Sequence, residues 1–164
     1  MALTHLQGTP VNTVGNLPAP GTKAPDFSVT KLDLSELTLG DLAGKTILLN
    51  IFPSIDTGVC AASVRRFNIE AAAHPDVMVV SVSQDLPFAL GRFCGAEGIE
   101  HVITTSGFRS SFGTDYGVKL ADSPMAGLLA RAVVIIGADG TVKYTELVED
   151  IAQNPNFEAA LASL

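Results

Sequence analysis

Apolar residues in this chain fall into short bursts separated by turn signals, not into long helical stripes. Thr46 to Phe52 is a nearly continuous apolar run with a β-branched start, the pattern of a strand buried on both faces, and Pro53 forbids further ladder pairing. Val77 to Val82 repeats that composition. Between the two, after a loop through Ser54 to Gly58, the segment Val59 to Ala73 holds good helix formers and stops near His74-Pro75. Val59, Ala62, Phe67 and Ile69 are available for its apolar face, and Arg65, Arg66 and Glu70 for its wet one. Strand, helix and strand in this order predict a βαβ unit whose right-handed crossover makes the strands parallel.

The flanking segments are punctuated more heavily. Loose alternation around Gly8-Thr9-Pro10 predicts a short N-terminal hairpin. A Pro/Gly-rich stretch, Leu17 to Pro25, leads to a strand-like Asp26 to Thr30 and a short amphipathic segment, Thr38 to Leu42, that stops at Gly44. Beyond Asp85-Leu86-Pro87 a helix carries Phe88, Leu90, Phe93 and Cys94 to a stop near Gly95 to Gly98. A short strand follows at His101 to Thr104 and a weaker helix at Arg109 to Tyr116. Ala132 to Ile136 and Thr141 to Val148 flank Ala138-Asp139-Gly140, a hairpin signal, and Asn156 to Leu164 reads as a closing helix behind Pro155. This order predicts an α/β, thioredoxin-like fold: a central mixed β-sheet flanked by helices, with an added N-terminal β-hairpin, in a single domain over residues 1–164. A chain of 164 residues has the size of one such domain. Fold alone does not give function.

Composition narrows the function classes. Apolar residues make up 47% of the chain and charged residues 16%, far from a disordered balance and with apolar surface to spare for a subunit interface. A formal charge of -7 with no Lys/Arg cluster argues against nucleic acid as a partner. No apolar stretch approaches the roughly 20 residues of a membrane-spanning helix, and Met1 to Pro10 lacks the basic leader and apolar segment of a secretory signal. The expectation is a cytoplasmic protein without membrane contact. Two cysteines are too few for a secreted disulfide framework, so a bridge between them is expected to be transient. His5, His74 and His101 are scattered without zinc-ligand spacing.

Cys60 lies in or next to the first turn of the helix after Phe52, where unpaired N–H groups and the positive end of the macrodipole favour a thiolate. Cysteines so placed, with cationic neighbours, become largely ionised nucleophiles near neutral pH. The same position equally suits a small buried hydrophobe. Thr57, three residues earlier, has the spacing to cap the helix or to face the sulfur, and Pro53 would stiffen the loop and shield it. Sequence physics assigns none of the five arginines to the thiolate. Arg131 differs from the rest in standing directly before the apolar run Ala132 to Ile136, at the sheet edge beside the crevice where α/β folds place their chemistry. Cys94 is separated from Cys60 by 33 residues, and a bridge needs Cα atoms within roughly 7 Å. If the sulfurs start apart, Gly91, Gly95 and Gly98 lower the cost of opening the Cys94 helix.

The stretch Pro53-Ser54-Ile55-Asp56-Thr57-Gly58-Val59-Cys60 matches the Pro-x-x-x-Thr-x-x-Cys signature of peroxiredoxins, and Asn50 to Ser63, read as NIFPSIDTGVCAAS, resembles their bacterial thiol peroxidase subfamily. Phe93 to Gly98 (FCGAEG) resembles that subfamily's resolving-cysteine segment, and Ala130 to Val134 the segment carrying its active-site arginine. The resemblance covers almost the whole chain. It implies that Cys60 is the peroxidatic cysteine, that Cys94 resolves it through an intramolecular disulfide, and that Pro53, Thr57 and Arg131 support the site. It further implies hydrogen peroxide and organic hydroperoxides as substrates, thioredoxin as reductant, a homodimer, and no metal, flavin or haem. A thioredoxin-type dithiol oxidoreductase, the nearest rival, would need a Cys-x-x-Cys, which the chain lacks.

Overall fold

A computed structural model describes residues 1–164. Its centre is a seven-stranded mixed sheet, and the predicted βαβ unit forms the middle of it: β5 (Thr46–Ile51), α1 (Gly58–Ala73) and β6 (Val77–Ser83), with β5 and β6 parallel from Thr46↔Val77 to Ile51↔Val82. Strand β7 (Val102–Ser106) adds in parallel to β6 after α2 (Pro87–Glu97). On the other side β8 (Ala132–Ile136) runs antiparallel to β5 and forms a hairpin with β9 (Val142–Leu147). The short strands β3 (Ser28–Lys31) and β4 (Glu36–Thr38) complete the far edge, giving the order β4-β3-β7-β6-β5-β8-β9. The predicted segment Thr38 to Leu42 thus divides, its start ending β4 and Gly40–Leu42 forming one 3-10 turn.

Because β5 is buried on both faces, its alternate side chains enter different cores. Ile47, Leu49 and Ile51 join Val80, Val82, Val134, Ile136, Phe27, Phe112 and Tyr116 on one face. There α3 (Phe112–Asp115) stacks Phe112 on Tyr116, and the Tyr116 hydroxyl donates to the Pro25 carbonyl at 2.7 Å. Leu48 instead meets Phe67 and Ala71 of α1, Val133 and Ile135 of β8, and Ala160 of α4 (Phe157–Ala162). Removing one of these side chains, as in Leu48→Ala, costs about 2–5 kcal/mol. The closing helix is capped by Asn156, whose Oδ1 accepts the Ala159 N–H at 3.0 Å.

The apolar face expected for α1 needs correction. Its buried residues are Cys60, Ala61, Ser63, Val64, Phe67 and Ala71, whereas Ala62 is exposed and Ile69 is 66% exposed. Several of these side chains are small, and their low hydropathy hides that face in the sequence.

The N-terminal hairpin is present as β1 (Leu3–Leu6) and β2 (Thr9–Asn12), closed by Gln7 and Gly8, both at positive φ as a type I′ turn requires. It docks on the segment after β9: Asp150 accepts the Gln7 and Gly8 N–H groups at 3.1 and 2.9 Å, and the Ile151 N–H donates to the His5 carbonyl at 2.7 Å. No helix is long and apolar enough to cross a membrane.

Candidate active site

The chemistry-bearing residues gather where β5 ends and α1 begins. Antiparallel pairing sets Ala132 against Ile51, which brings Arg131 to the Phe52-Pro53 exit of β5, the carboxyl edge of the parallel strands. Arg131 is 2% exposed, and its Nη2 donates to Cys60 Sγ at 3.0 Å. Its Nε donates to the Ile151 carbonyl at 2.8 Å, while Nη1 is buried with no protein partner. A guanidinium so far from water needs a compensating anion, and the sulfur is its only side-chain partner. The geometry thus pairs the buried guanidinium with the Cys60 sulfur.

Cys60 is the third residue of α1 and is 0% exposed, packed among Phe52, Ile55, Val64 and Leu90. The N–H groups of Gly58, Val59 and Cys60 precede the first intrahelical acceptor bond, which runs from Ala61 to the Thr57 carbonyl at 3.0 Å, and their dipoles point to the sulfur's end of the helix. The Cys60 carbonyl accepts the Ser63 hydroxyl at 2.8 Å, and Ser63 in turn accepts an N–H of Asn50 Nδ2 at 3.4 Å, which ties the first turn of α1 to β5.

A cavity of about 230 Å³ reaches this shell. Pro53, Thr57, Gly58, Val59 and Arg131 line it, with Leu6, Met125 and Ile151 as apolar walls, while the Cys60 sulfur lies behind Arg131 and is not itself part of the lining. The helix-capping alternative for Thr57 is not realised: its hydroxyl donates to the Ser54 carbonyl at 2.9 Å and bonds neither to a helix N–H nor to the sulfur. With its proton so used, the hydroxyl oxygen remains an acceptor, and Thr57 lines the cavity.

Cys94 is not part of this group. It sits in the last turn of α2, partly buried, and shares a 3.2 Å hydrogen bond with the Thr104 hydroxyl of β7. Burial pushes its thiol pKa up, against a smaller opposing effect of Thr104. Thr104 and Arg131 are separated by β6 and β5, three strand spacings or about 14 Å across the sheet. Both cysteines are free thiols.

Sequence reasoning missed a set of polar groups beneath the loop. Asp85, in the turn between β6 and α2, accepts the Ser54 hydroxyl at 2.7 Å, the Ile55 N–H at 2.8 Å and the Ser83 hydroxyl at 2.7 Å. Two residues before Pro87 it reads as a turn residue, and nothing in the letters aims it at Ser54. The role of Ile151, a backbone acceptor, has no sequence signal at all.

An Arg-paired cysteine at the first turn of the crossover helix of a thioredoxin-like fold defines the class of peroxide-reducing thiol proteins, and comparison with known proteins places the chain there. Residues 19–161 match the model of the Redoxin family, to which the chain belongs. It is 61% identical over 164 residues to the thiol peroxidase of Mycobacterium tuberculosis, covering 100% of this chain and 99% of that one. Identity to the thiol peroxidase of Corynebacterium glutamicum is 51% with the same coverage. Among solved structures, a peroxiredoxin-like protein from Aquifex aeolicus superimposes with a TM-score of 0.94 at 36% identity, covering 99% of this chain and 95% of that one. Within the family the chain falls in the thiol peroxidase group, and it is a peroxiredoxin-type, thiol-dependent peroxidase.

Proposed function

We propose that the chain, as one peroxiredoxin domain over residues 1–164, reduces hydrogen peroxide and organic hydroperoxides through Cys60 and is recycled through a disulfide to Cys94. The observation that carries this reading is the 3.0 Å contact between Arg131 and a fully buried Cys60, with Arg131 Nη1 buried and unpartnered and Arg131 lining the cavity. The Cys60 thiolate attacks the terminal peroxide oxygen, the O–O bond breaks, and the departing oxygen takes a proton to leave as alcohol or water. Cys60 is left as a sulfenic acid. Arg131 and the helix N–H groups stabilise charge as it moves from sulfur to the leaving oxygen, and Thr57 is placed to accept the peroxide's O–H. Pro53, buried at the end of β5, keeps the loop stiff and water away from the sulfur. The apolar walls Leu6, Met125 and Ile151 suit an alkyl group.

The sulfur of Cys94 then attacks that of Cys60, forming S–S, breaking S–O and releasing water. An external dithiol, thioredoxin, reopens the bridge by exchange. The separation of the two sulfurs' anchors requires α2 to open first, as its glycines permit. No metal or organic cofactor has a step in this scheme. A chain with two cysteines, too few for a secreted disulfide framework, suits a cytoplasmic setting. Leu86, Phe88 and Phe108, exposed at 51%, 72% and 42%, supply an apolar surface for a homodimer.

The test is peroxide consumption by single variants under excess thioredoxin. Cys60→Ser is expected to consume none, and Cys94→Ser one equivalent before stalling. Sustained turnover by Cys60→Ser rejects the reading.

A further inference from the structure

The element carrying Cys60 and the element carrying Cys94 are joined by one polar anchor that the reaction scheme does not use. Asp85 is the second residue before α2 begins. Its Oδ1 takes the Ser54 hydroxyl and its Oδ2 the Ile55 N–H, so it grips the loop between β5 and α1 in two places. Ser83, the last residue of β6, donates its hydroxyl to Oδ2 and accepts the Asp85 N–H at 3.3 Å, fixing the carboxylate to the sheet. Two ion pairs also join the same elements: Arg92 with Asp56 at 3.4 Å, and Arg65 with Glu97 at 3.0 Å. Both are exposed ion pairs of the kind that contributes little. Asp85 is only partly exposed, and its three donors come from two separate segments.

Packing links this anchor to both sulfurs. Ile55, whose N–H it holds, lies against Cys60 in the same apolar cluster as Leu90 of α2. Leu90 and Cys94 are four residues apart and share a face of α2. The first α2 N–H bonds, from Ala89 and Leu90, close on the Leu86 carbonyl, the residue after Asp85.

We propose that Asp85 is a positioning residue that sets the loop geometry for peroxide attack at Cys60 and, by the same bonds, holds the start of α2 against the opening that Cys94 needs. This rests on the reading of Cys60 and Cys94 given above. Weakening the anchor has opposite effects on the two chemical steps: attack slows because the sulfur is held less well, and disulfide closure speeds because α2 opens more easily. A merely structural role slows both or neither.

Single-turnover quench-flow with hydrogen peroxide, thiol blocking and mass spectrometry separates the reduced, sulfenic and disulfide forms. Asp85→Asn keeps the shape but replaces one acceptor oxygen with a donor. It is expected to slow sulfenic acid formation about tenfold, less than the ~10²-fold that an ångström of misplacement costs, and to speed disulfide closure severalfold. Ser54→Ala, which deletes one bond and leaves the carboxylate in place, should shift both rates in the same directions by less. Asp85→Glu should recover part of both changes. Equal slowing of both steps, or two unchanged rates, overturns the proposal while native Cys60 still reacts. A native protein that forms no sulfenic acid instead overturns the functional reading beneath it.

Discussion

The two cysteines occupy opposite ends of neighbouring helices, and their surroundings differ in sign. Cys60 stands in the first turn of α1, with free N–H groups around it and a guanidinium on its sulfur. Cys94 stands in the last turn of α2, where its own carbonyl accepts the Gly98 and Ile99 N–H groups, and its sulfur meets a neutral hydroxyl. A helix dipole favours an anion at the first place and disfavours it at the second. On the proposed reading, the first is the nucleophile of the folded chain and the second acts after its helix opens. The same side chain thus receives two roles from backbone direction and one arginine.

Removing the arginine should erase most of that contrast. Arg131→Ala is expected to slow sulfenic acid formation about 10²–10³-fold, the usual cost of losing a donor aimed at developing charge, with a parallel loss of ultraviolet thiolate absorbance at neutral pH. Arg131→Lys restores a charge but not the fork that binds the sulfur and the Ile151 carbonyl together, so it should recover only part of the rate. Stopped-flow rates for the three proteins decide this; an Ala variant within a fewfold of native would move the role elsewhere.

A smaller effect is expected one contact further out. Asp150 accepts N–H groups from Ala152, Gly8 and Gln7, and these bonds, Ala152 foremost, hold its carboxyl below the ordinary carboxylate pKa. They fix the Ile151 carbonyl against which Arg131 is braced. Asp150→Ala should slow attack at Cys60 by about tenfold and leave Cys94 untouched. Because the folded-state pKa is depressed, the stabilisation is present above the ordinary carboxylate pKa and is lost as pH falls through the depressed value. Acid unfolding followed by circular dichroism should therefore begin at higher pH in the variant; coincident curves would deny Asp150 this part.

What the letters revealed follows from how each feature is encoded. The β5-α1-β6 unit, the β8-β9 hairpin and the closing helix were legible because continuous apolar runs and turn residues carry strong local signals. Arg131 stood out since it abuts a buried strand, yet only the Ile51↔Ala132 register shows that it reaches Cys60. The buried face of α1 was misread because Cys60, Ala61 and Ser63 are small, while the more hydrophobic Ile69 faces solvent. Asp85, Asp150 and the Ile151 carbonyl were invisible for another reason: their importance lies in hydrogen-bond partners brought from distant segments.

The smallest expected effect concerns Cys94 alone and tests whether its quiet state is a property of the fold. Burial raises its thiol pKa above the ordinary value, so the folded chain holds that proton more tightly than the unfolded chain does. The stabilisation this brings is complete below the unfolded thiol's pKa and is lost as pH rises from there through the folded value. Tyr116, raised by burial and by Asp26 and Asp115, acts in the same sense at still higher pH. Reduced Cys94→Ser should therefore lose less stability than the native chain across the alkaline thiol range and then fall in parallel with it, as measured by denaturant midpoints at successive pH values. Disulfide closure in the native chain should also quicken over that range, as the Cys94 thiolate fraction grows. If closure is independent of pH while α2 exchanges its amides slowly, opening of the helix limits the step, and the contrast between the two cysteines is one of access more than of charge.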